Sequence, residues 1–69
     1  MDTRDAALIL TFADNDMNVT NTANRLYMHR NTVLFRFGKV IAETGLNPRR
    51  FHDLCKLVPM CAEIVNNNI

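Results

Sequence analysis

Four stretches with apolar residues at helical spacing, separated by short polar breaks, organise this 69-residue sequence. The first stretch predicts a helix that begins at Thr3 or Arg4 and ends at Asp14. Asp2 or Thr3 is expected to cap it, because the side-chain oxygens of both residue types accept hydrogen bonds from free backbone N–H groups. Its core face is formed by Ala6, Leu8, Ile9, Phe12 and Ala13.

Two further helices with a very short break between them are predicted in the centre of the chain. The second helix should span about 21–27, with Thr20 as its N-cap and Val19 packed in front of it. The third should span about 30–44 and end at Gly45, which takes a positive φ easily. Only Met28-His29 separate the two, so the helices must meet at a steep angle, which is typical of a helix-turn-helix. The predicted inward positions are Ala23, Leu26, Met28, Val33, Phe37, Val40 and Ile41.

The last stretch predicts a helix with Asn47 as N-cap and Pro48 at its first position. Its apolar stripe comprises Phe51, Leu54, Cys55 and Val58. Pro59 is expected to end or kink this helix, because proline lacks the backbone N–H that a helix interior requires. A short continuation would contain Met60, Cys61, Ile64 and Val65, and residues 66–69 are expected to fray.

These patterns together predict one all-α domain, a bundle of four or five helices with a helix-turn-helix at residues 18–45. The chain has only two Gly and two Pro, and no apolar run approaches the length of a membrane span. Cys55 and Cys61 would point in different directions on one helix, which favours free, buried thiols and a reducing, cytoplasmic compartment.

The charge distribution suggests a partner. Residues 25–50 hold six basic side chains and a single acidic one, Glu43, whereas the flanking segments are acidic. Such a basic zone is either a mixed, solvated surface or the face that meets nucleic-acid phosphates. Arg30 favours the second interpretation, because a cation at a helix N-terminus opposes the helix dipole, which indicates that the residue has another role. Arg can bind a guanine edge and Asn31 an adenine edge through two hydrogen bonds each.

A specific motif surrounds these residues. It comprises Asn18-Val19-Thr20, Ala23, Leu26, the run Tyr27-Met28-His29-Arg30-Asn31-Thr32-Val33, Phe35-Arg36 and Thr44-Gly45-Leu46. This motif resembles the C-terminal helix-turn-helix domain of PucR/CdaR-type transcriptional regulators, and more distantly the DNA-binding end of Fis-like proteins. Leu34 and Gly38 depart from the pattern, since the family often has Arg at both positions.

The resemblance implies a bacterial, cytoplasmic DNA-binding domain at the C-terminus of a longer regulator. It implies that residues 29–32 face DNA and that Arg36 supports them. The predicted base contacts are His29, Arg30, Asn31 and Leu34, although His29 is equally consistent with an ordinary surface residue. The predicted phosphate contacts are Thr20, Asn21, Thr22, Thr32, Arg36, Lys39 and Arg49, of which Arg49 is equally consistent with a solvated side chain. Because one recognition helix covers few base pairs, a homodimer on two half-sites is expected in the full-length protein.

Parts of the sequence are also compatible with two other classes of function. A protein-interaction or dimerisation bundle, with weak or no DNA binding, would use an exposed Leu34 and the apolar end at Met60, Ile64 and Val65. An enzyme fits poorly, because the sequence has no Ser and no Gly-rich phosphate loop. His52 and Cys55 are two potential ligands, too few for a zinc site. The sequence therefore predicts a partner of double-stranded DNA, and no catalysis, metal, cofactor, membrane contact or small-molecule site in this segment.

Overall fold

The computed structural model describes residues 1–67, which form four α-helices and no strand. The helices are α1 (Thr3–Asp14), α2 (Val19–Arg25), α3 (Arg30–Thr44) and α4 (Phe51–Asn66). This confirms the predicted all-α helical bundle. Of the predicted frayed end, Asn66 is the last residue of α4 and Asn67 is its C-cap, whereas residues 68 and 69 lie outside the described residues. Within the described range, no helix is both long and apolar enough to span a membrane.

The core is formed mainly where α4 packs along α1, while α2 and α3 pack against each other and against α1. Phe12 and Phe37 meet edge to face at its centre, with ring centroids 4.8 Å apart. The buried apolar side chains are Ala6, Leu8, Ile9, Phe12, Val19, Ala23, Val33, Phe37, Val40, Leu54, Leu57 and Cys61. Each helix thus contributes one apolar face to a single core.

The predicted limits of α1 and α3 are confirmed by the structure. Asp2 caps α1 by accepting a 2.8 Å hydrogen bond from the backbone N–H of Asp5. Gly45 ends α3 with φ 73°, and its N–H bonds the carbonyl of Ile41 at 2.8 Å. The side chain of Ile41 is 39% exposed, so its assignment to the core was wrong.

The predicted start of α2 was wrong by two residues. The cap is Asn18, whose Oδ1 accepts a 2.9 Å hydrogen bond from the N–H of Asn21. Asn is as good an N-cap as Thr, and capping at Asn18 turns Val19 into the core. The competing cap Thr20 therefore lies inside the helix, with an exposed side chain.

The predicted start of α4 was also wrong. The Oδ1 of Asn47 accepts a 2.9 Å hydrogen bond from the N–H of Arg49, which makes a local turn and not a helix cap. The N–H of Asn47 donates at 3.0 Å to Oδ2 of Asp53 in the first turn of α4. These bonds hold the turn in place, and α4 begins at Phe51 with Arg50 as its cap residue.

Pro59 neither ends nor divides α4, which continues to Asn66. The missing N–H of Pro59 leaves the carbonyl of Cys55 without its helical partner, and both residues are exposed, so water can replace that partner. The buried face of α4 comprises Leu54, Leu57 and Cys61, whereas the predicted stripe members Phe51 and Cys55 are exposed. Both thiols are free, as predicted, but only Cys61 is buried as expected. Burial raises the pKa of the Cys61 thiol.

Candidate nucleic-acid interface

The turn between α2 and α3 is longer than predicted and begins at Leu26. Tyr27, which was predicted to lie in the helix, has φ 54° and a side chain that is 98% exposed. A positive φ ends the helix, and it is unusual for an aromatic residue. The N–H of the next residue, Met28, bonds the carbonyl of Ala23 at 2.9 Å. Met28 and Leu26 are then half-buried against the core, as their predicted inward positions require.

His29 is the N-cap of α3. Its Nδ1 accepts a 3.1 Å hydrogen bond from the backbone N–H of Asn31. Since Nδ1 is an acceptor in this contact, the ring proton of the neutral imidazole is on Nε2, which is available as a donor. His29 therefore fixes the start of α3 and presents an N–H group to solvent beside Arg30.

The first turn of α3 carries three polar side chains that the fold does not use. Arg30, Asn31 and Thr32 are exposed, and their side chains make no hydrogen bond or ion pair with any residue in the range 1–67. The exposed surface continues one turn further with Phe35, whose side chain is 71% exposed. Leu34, by contrast, is half-buried and packs against the core, so little of its side chain is available for a base contact.

Two of the predicted phosphate contacts are held by an acidic side chain. Asp5 on α1 is 1% exposed, and its Oδ1 accepts a 3.0 Å hydrogen bond from Nη1 of Arg36. Its Oδ2 receives no hydrogen bond but lies 3.3 Å from Nζ of Lys39, so that contact is purely electrostatic. Arg36 and Lys39 therefore compensate a buried charge and anchor α3 to α1, although Lys39 remains 42% exposed.

The remaining predicted phosphate contacts divide into accessible and inaccessible residues. Thr20, Asn21 and Arg49 are exposed, on α2 and on the turn before α4. Thr22 is fully buried, and its hydroxyl donates a 2.7 Å hydrogen bond to the carbonyl of Asn18. A hydroxyl in that position cannot reach a phosphate, so the assignment of Thr22 as a phosphate contact was wrong.

Asp5 is the residue of this region that sequence reasoning missed. The spacing along α1 could have shown that Asp5 lies on the apolar face of the helix. Asp5 precedes Leu8, Ile9 and Phe12 by three, four and seven positions. An acid on an apolar face must be paired when it is buried. The basic partners lie 31 and 34 positions away, so the sequence pattern shows the need for a partner without showing which residue supplies it. Residues 1–67 contain no group of three or more His, Cys, Asp or Glu side chains placed to hold a metal ion.

A short helix, a turn and a longer helix with an exposed polar first turn, supported by two packing helices, define a helix-turn-helix domain. The model of the PucR C-terminal helix-turn-helix domain family matches residues 6–61, and the chain belongs to this family. It is thereby a member of a family of DNA-binding domains of transcription regulators.

The chain is also similar to a curated protein, the uncharacterised protein YxkF of Bacillus subtilis (strain 168). The two are 37% identical over 43 residues, which is 62% of this chain and 14% of the relative. The similar region thus corresponds to about one seventh of the relative's length. No solved structure matches the chain significantly.

Proposed function

We propose that this domain binds double-stranded DNA sequence-specifically in transcription regulation, with α3 in the major groove. The observation that carries the proposal is the first turn of α3, where Arg30, Asn31 and Thr32 extend into solvent without a partner in the described part of the chain. In helix-turn-helix proteins the N-terminal residues of the second helix of the motif contact base edges. No catalytic step is part of this proposal.

The side chains at this position have the chemistry that base edges require. The guanidinium of Arg30 matches the O6 and N7 acceptors of guanine, and the amide of Asn31 matches N7 and the N6 amino group of adenine. The free Nε2–H of His29 adds a donor for a base or phosphate acceptor. The half-buried Leu34 would add only a marginal apolar contact to this set.

Phosphate contacts would come from the exposed side chains around α3. Thr20, Asn21, Thr32 and Arg49 are all exposed and fit this role. Arg36 is mostly covered by its pairing with Asp5, so we assign it to the positioning of α3; Lys39 retains enough exposure to contribute. Because two of the six basic side chains in residues 25–50 are paired with Asp5, binding should be weaker than the sequence alone suggests, and it should weaken further as salt rises.

The oligomeric state and location of the whole protein also belong to the proposal. A single recognition helix contacts few base pairs, so we expect a homodimer of a longer regulator on half-sites about one helical turn, roughly 34 Å, apart. The relative YxkF is about seven times as long as the similar region, which is compatible with a longer regulator. A DNA-binding regulator of this kind would act in the cytoplasm.

A selection from a random duplex library, followed by fluorescence anisotropy at several salt concentrations, tests the proposal. The expected result is an enriched motif and a binding constant that falls with salt. Arg30→Glu should abolish binding while leaving the fold intact, because a negative charge at a helix N-terminus is favourable. Lys56→Glu is the matched control: it makes the same change of charge on α4, which packs on α1 and not on α3. Absence of binding to any duplex at low salt would refute the proposal.

The structure gives less support to a protein-interaction bundle than the sequence did. Ile64 and Val65 are half-buried against the core, and of the expected apolar end only Met60 is clearly exposed, at 41%. The Arg30→Glu variant also separates the two functions, because it should leave binding of a protein partner at α4 unchanged.

A further inference from the structure

We infer that Phe35 contacts the 5-methyl group of a thymine, and that the site preferred by this domain places that thymine near the adenine bound by Asn31. This inference rests on the proposed function and makes it more specific. Phe35 is part of the sequence motif, but the sequence assigns it no contact. The structure places it on the outward face, 71% exposed.

Phe35 and Asn31 share one face of α3. They are four residues apart, which puts their side chains one above the other, about 6 Å apart along the helix axis. The buried residues Val33, Phe37 and Val40 lie on the opposite side of the helix. A helix that directs Asn31 toward a base edge therefore directs Phe35 toward the same groove. Since base pairs are about 3.4 Å apart, the two contacts should fall within about two base pairs of each other.

The space beside Phe35 is open. Three residues further along the helix, at Gly38, a Cβ atom would find nothing within 4 Å. A bare backbone at this position, one turn beyond Phe35, lets a flat surface approach the helix closely. In the major groove the apolar group presented by a base edge is the thymine methyl, and Phe is one of the side chains suited to contact it.

Other exposed aromatic side chains do not share this arrangement. Phe51 is 62% exposed, but it lies on α4, where its ring meets that of His52 with centroids 5.5 Å apart. Tyr27 is 98% exposed and lies in the turn before α3, so it is not on the helix face that carries Asn31. Phe35 is the exposed aromatic residue that follows Asn31 by one helical turn.

The inference is tested with the 69-residue chain and a duplex selected for binding to it. Each thymine of the duplex is replaced in turn by uracil, which removes only the methyl group. At one position, the change to uracil is expected to lower the affinity of the protein for the duplex about four-fold, which corresponds to the loss of one buried methyl-sized group. Phe35→Ala should lower affinity for the thymine duplex by at least that factor and should show no further loss on uracil at that position. Phe51→Ala is the control, with unchanged affinity and the same response to uracil as the unmodified chain.

Three results would overturn the inference while leaving DNA binding in place. In the first, uracil at every position leaves the affinity unchanged. In the second, Phe35→Ala loses as much affinity on uracil as the unmodified chain does, so another side chain contacts the methyl. In the third, Phe35→Ala binds the thymine duplex normally. Failure of the unmodified chain to bind any selected duplex is a different outcome, which would refute the proposed function and the inference together.

Discussion

The carboxylate of Asp5 accepts a 3.0 Å hydrogen bond from Arg36, and this contact joins α1 to α3 across 31 positions of the chain. Lys39, one turn along, lies 3.3 Å from the other oxygen of the same carboxylate. The outward face of α3 is oriented by the packing of its opposite side, so a buried ion pair on α1 contributes to the direction of Arg30 and Asn31. Arg36 and Lys39, which the sequence assigns to phosphate contacts, therefore form ion pairs within the protein.

Variants of Asp5 and Arg36 should differ in stability, depending on whether a charge remains buried without its partner. Asp5→Ala should destabilise the fold by about 1–3 kcal/mol, since Arg36 and Lys39 are partly exposed and can turn to solvent. Arg36→Met should cost about 2–4 kcal/mol, because it leaves a buried carboxylate with one partner. The double variant should be less destabilised than the sum of the two. Urea unfolding monitored by circular dichroism measures all three, and strict additivity would contradict a direct Asp5–Arg36 interaction.

Alanine substitutions at the two glycines should have opposite effects on stability, although the surroundings of the two residues are similar. A Cβ atom at Gly38 or at Gly45 would meet nothing within 4 Å, so packing does not separate them. Gly38 has helical backbone, and Gly38→Ala should stabilise the fold by about 0.5–1 kcal/mol. Gly45 has φ 73°, and Gly45→Ala should destabilise it by about 1–2 kcal/mol.

In a domain of this size those changes correspond to shifts of about 4–8 °C per kcal/mol in the unfolding midpoint, upward for Gly38→Ala and downward for Gly45→Ala. Thermal unfolding followed at 222 nm measures them. Gly45→Asn is a useful control, since Asn tolerates a positive φ better than Ala and should be less destabilised. Shifts of the same sign for the two alanine variants would contradict the backbone explanation.

Pro59→Ala should stabilise the domain. Alanine restores the N–H that can bond the carbonyl of Cys55 and has a far higher helix propensity, so a gain of about 1–3 kcal/mol is expected. Lys56→Ala, at another exposed position of the same helix, should change stability by less than about 0.5 kcal/mol. Equilibrium unfolding in urea provides both values. No gain in Pro59→Ala would mean that the proline restricts the unfolded chain as much as it weakens α4.

Asp2 should make the stability depend on pH at the acidic end. A hydrogen bond from the backbone N–H of Asp5 lowers the pKa of Asp2 below its usual value of 3.8. A folded-state pKa that is depressed means that the ionised form stabilises the fold above the unfolded-state pKa, and that this contribution is lost as pH falls through the folded-state pKa. Stability should therefore fall as the pH drops below about 4, because this contribution is then lost.

Asp2→Asn isolates this effect, because Asn remains a good N-cap but does not titrate. The difference in unfolding midpoint between the two proteins should be constant near neutral pH and should change below about pH 4, as the unmodified chain loses its advantage. Thermal unfolding from pH 7 to pH 2 measures it. A difference that is independent of pH over this whole range would rule out the contribution of Asp2.

Much of this architecture follows from local rules. The limits of α1 and α3 were predictable to within one residue because the local signals agree: two adjacent capping residues, Asp2 and Thr3, precede α1, and a Gly that takes positive φ follows α3. The predictions failed where two local signals competed. Asn18 and Thr20 are both good caps, and Asn47 can cap a turn as readily as a helix, so the choice depended on whether Val19 entered the core and on the bond from Asn47 to Asp53.

The sequence was sufficient to indicate a helix-turn-helix and the exposed residues at the start of α3, because periodicity and caps act over a few residues along the chain. It could not indicate that Arg36 and Lys39 turn toward Asp5, that Thr22 is sealed in the core, or that Phe35 stands on the outward face beside Gly38. Those assignments depend on how α1 and α3 are placed against each other. A helical period shows which residues share a face, and the neighbouring helix then determines which face is covered and which charges are neutralised.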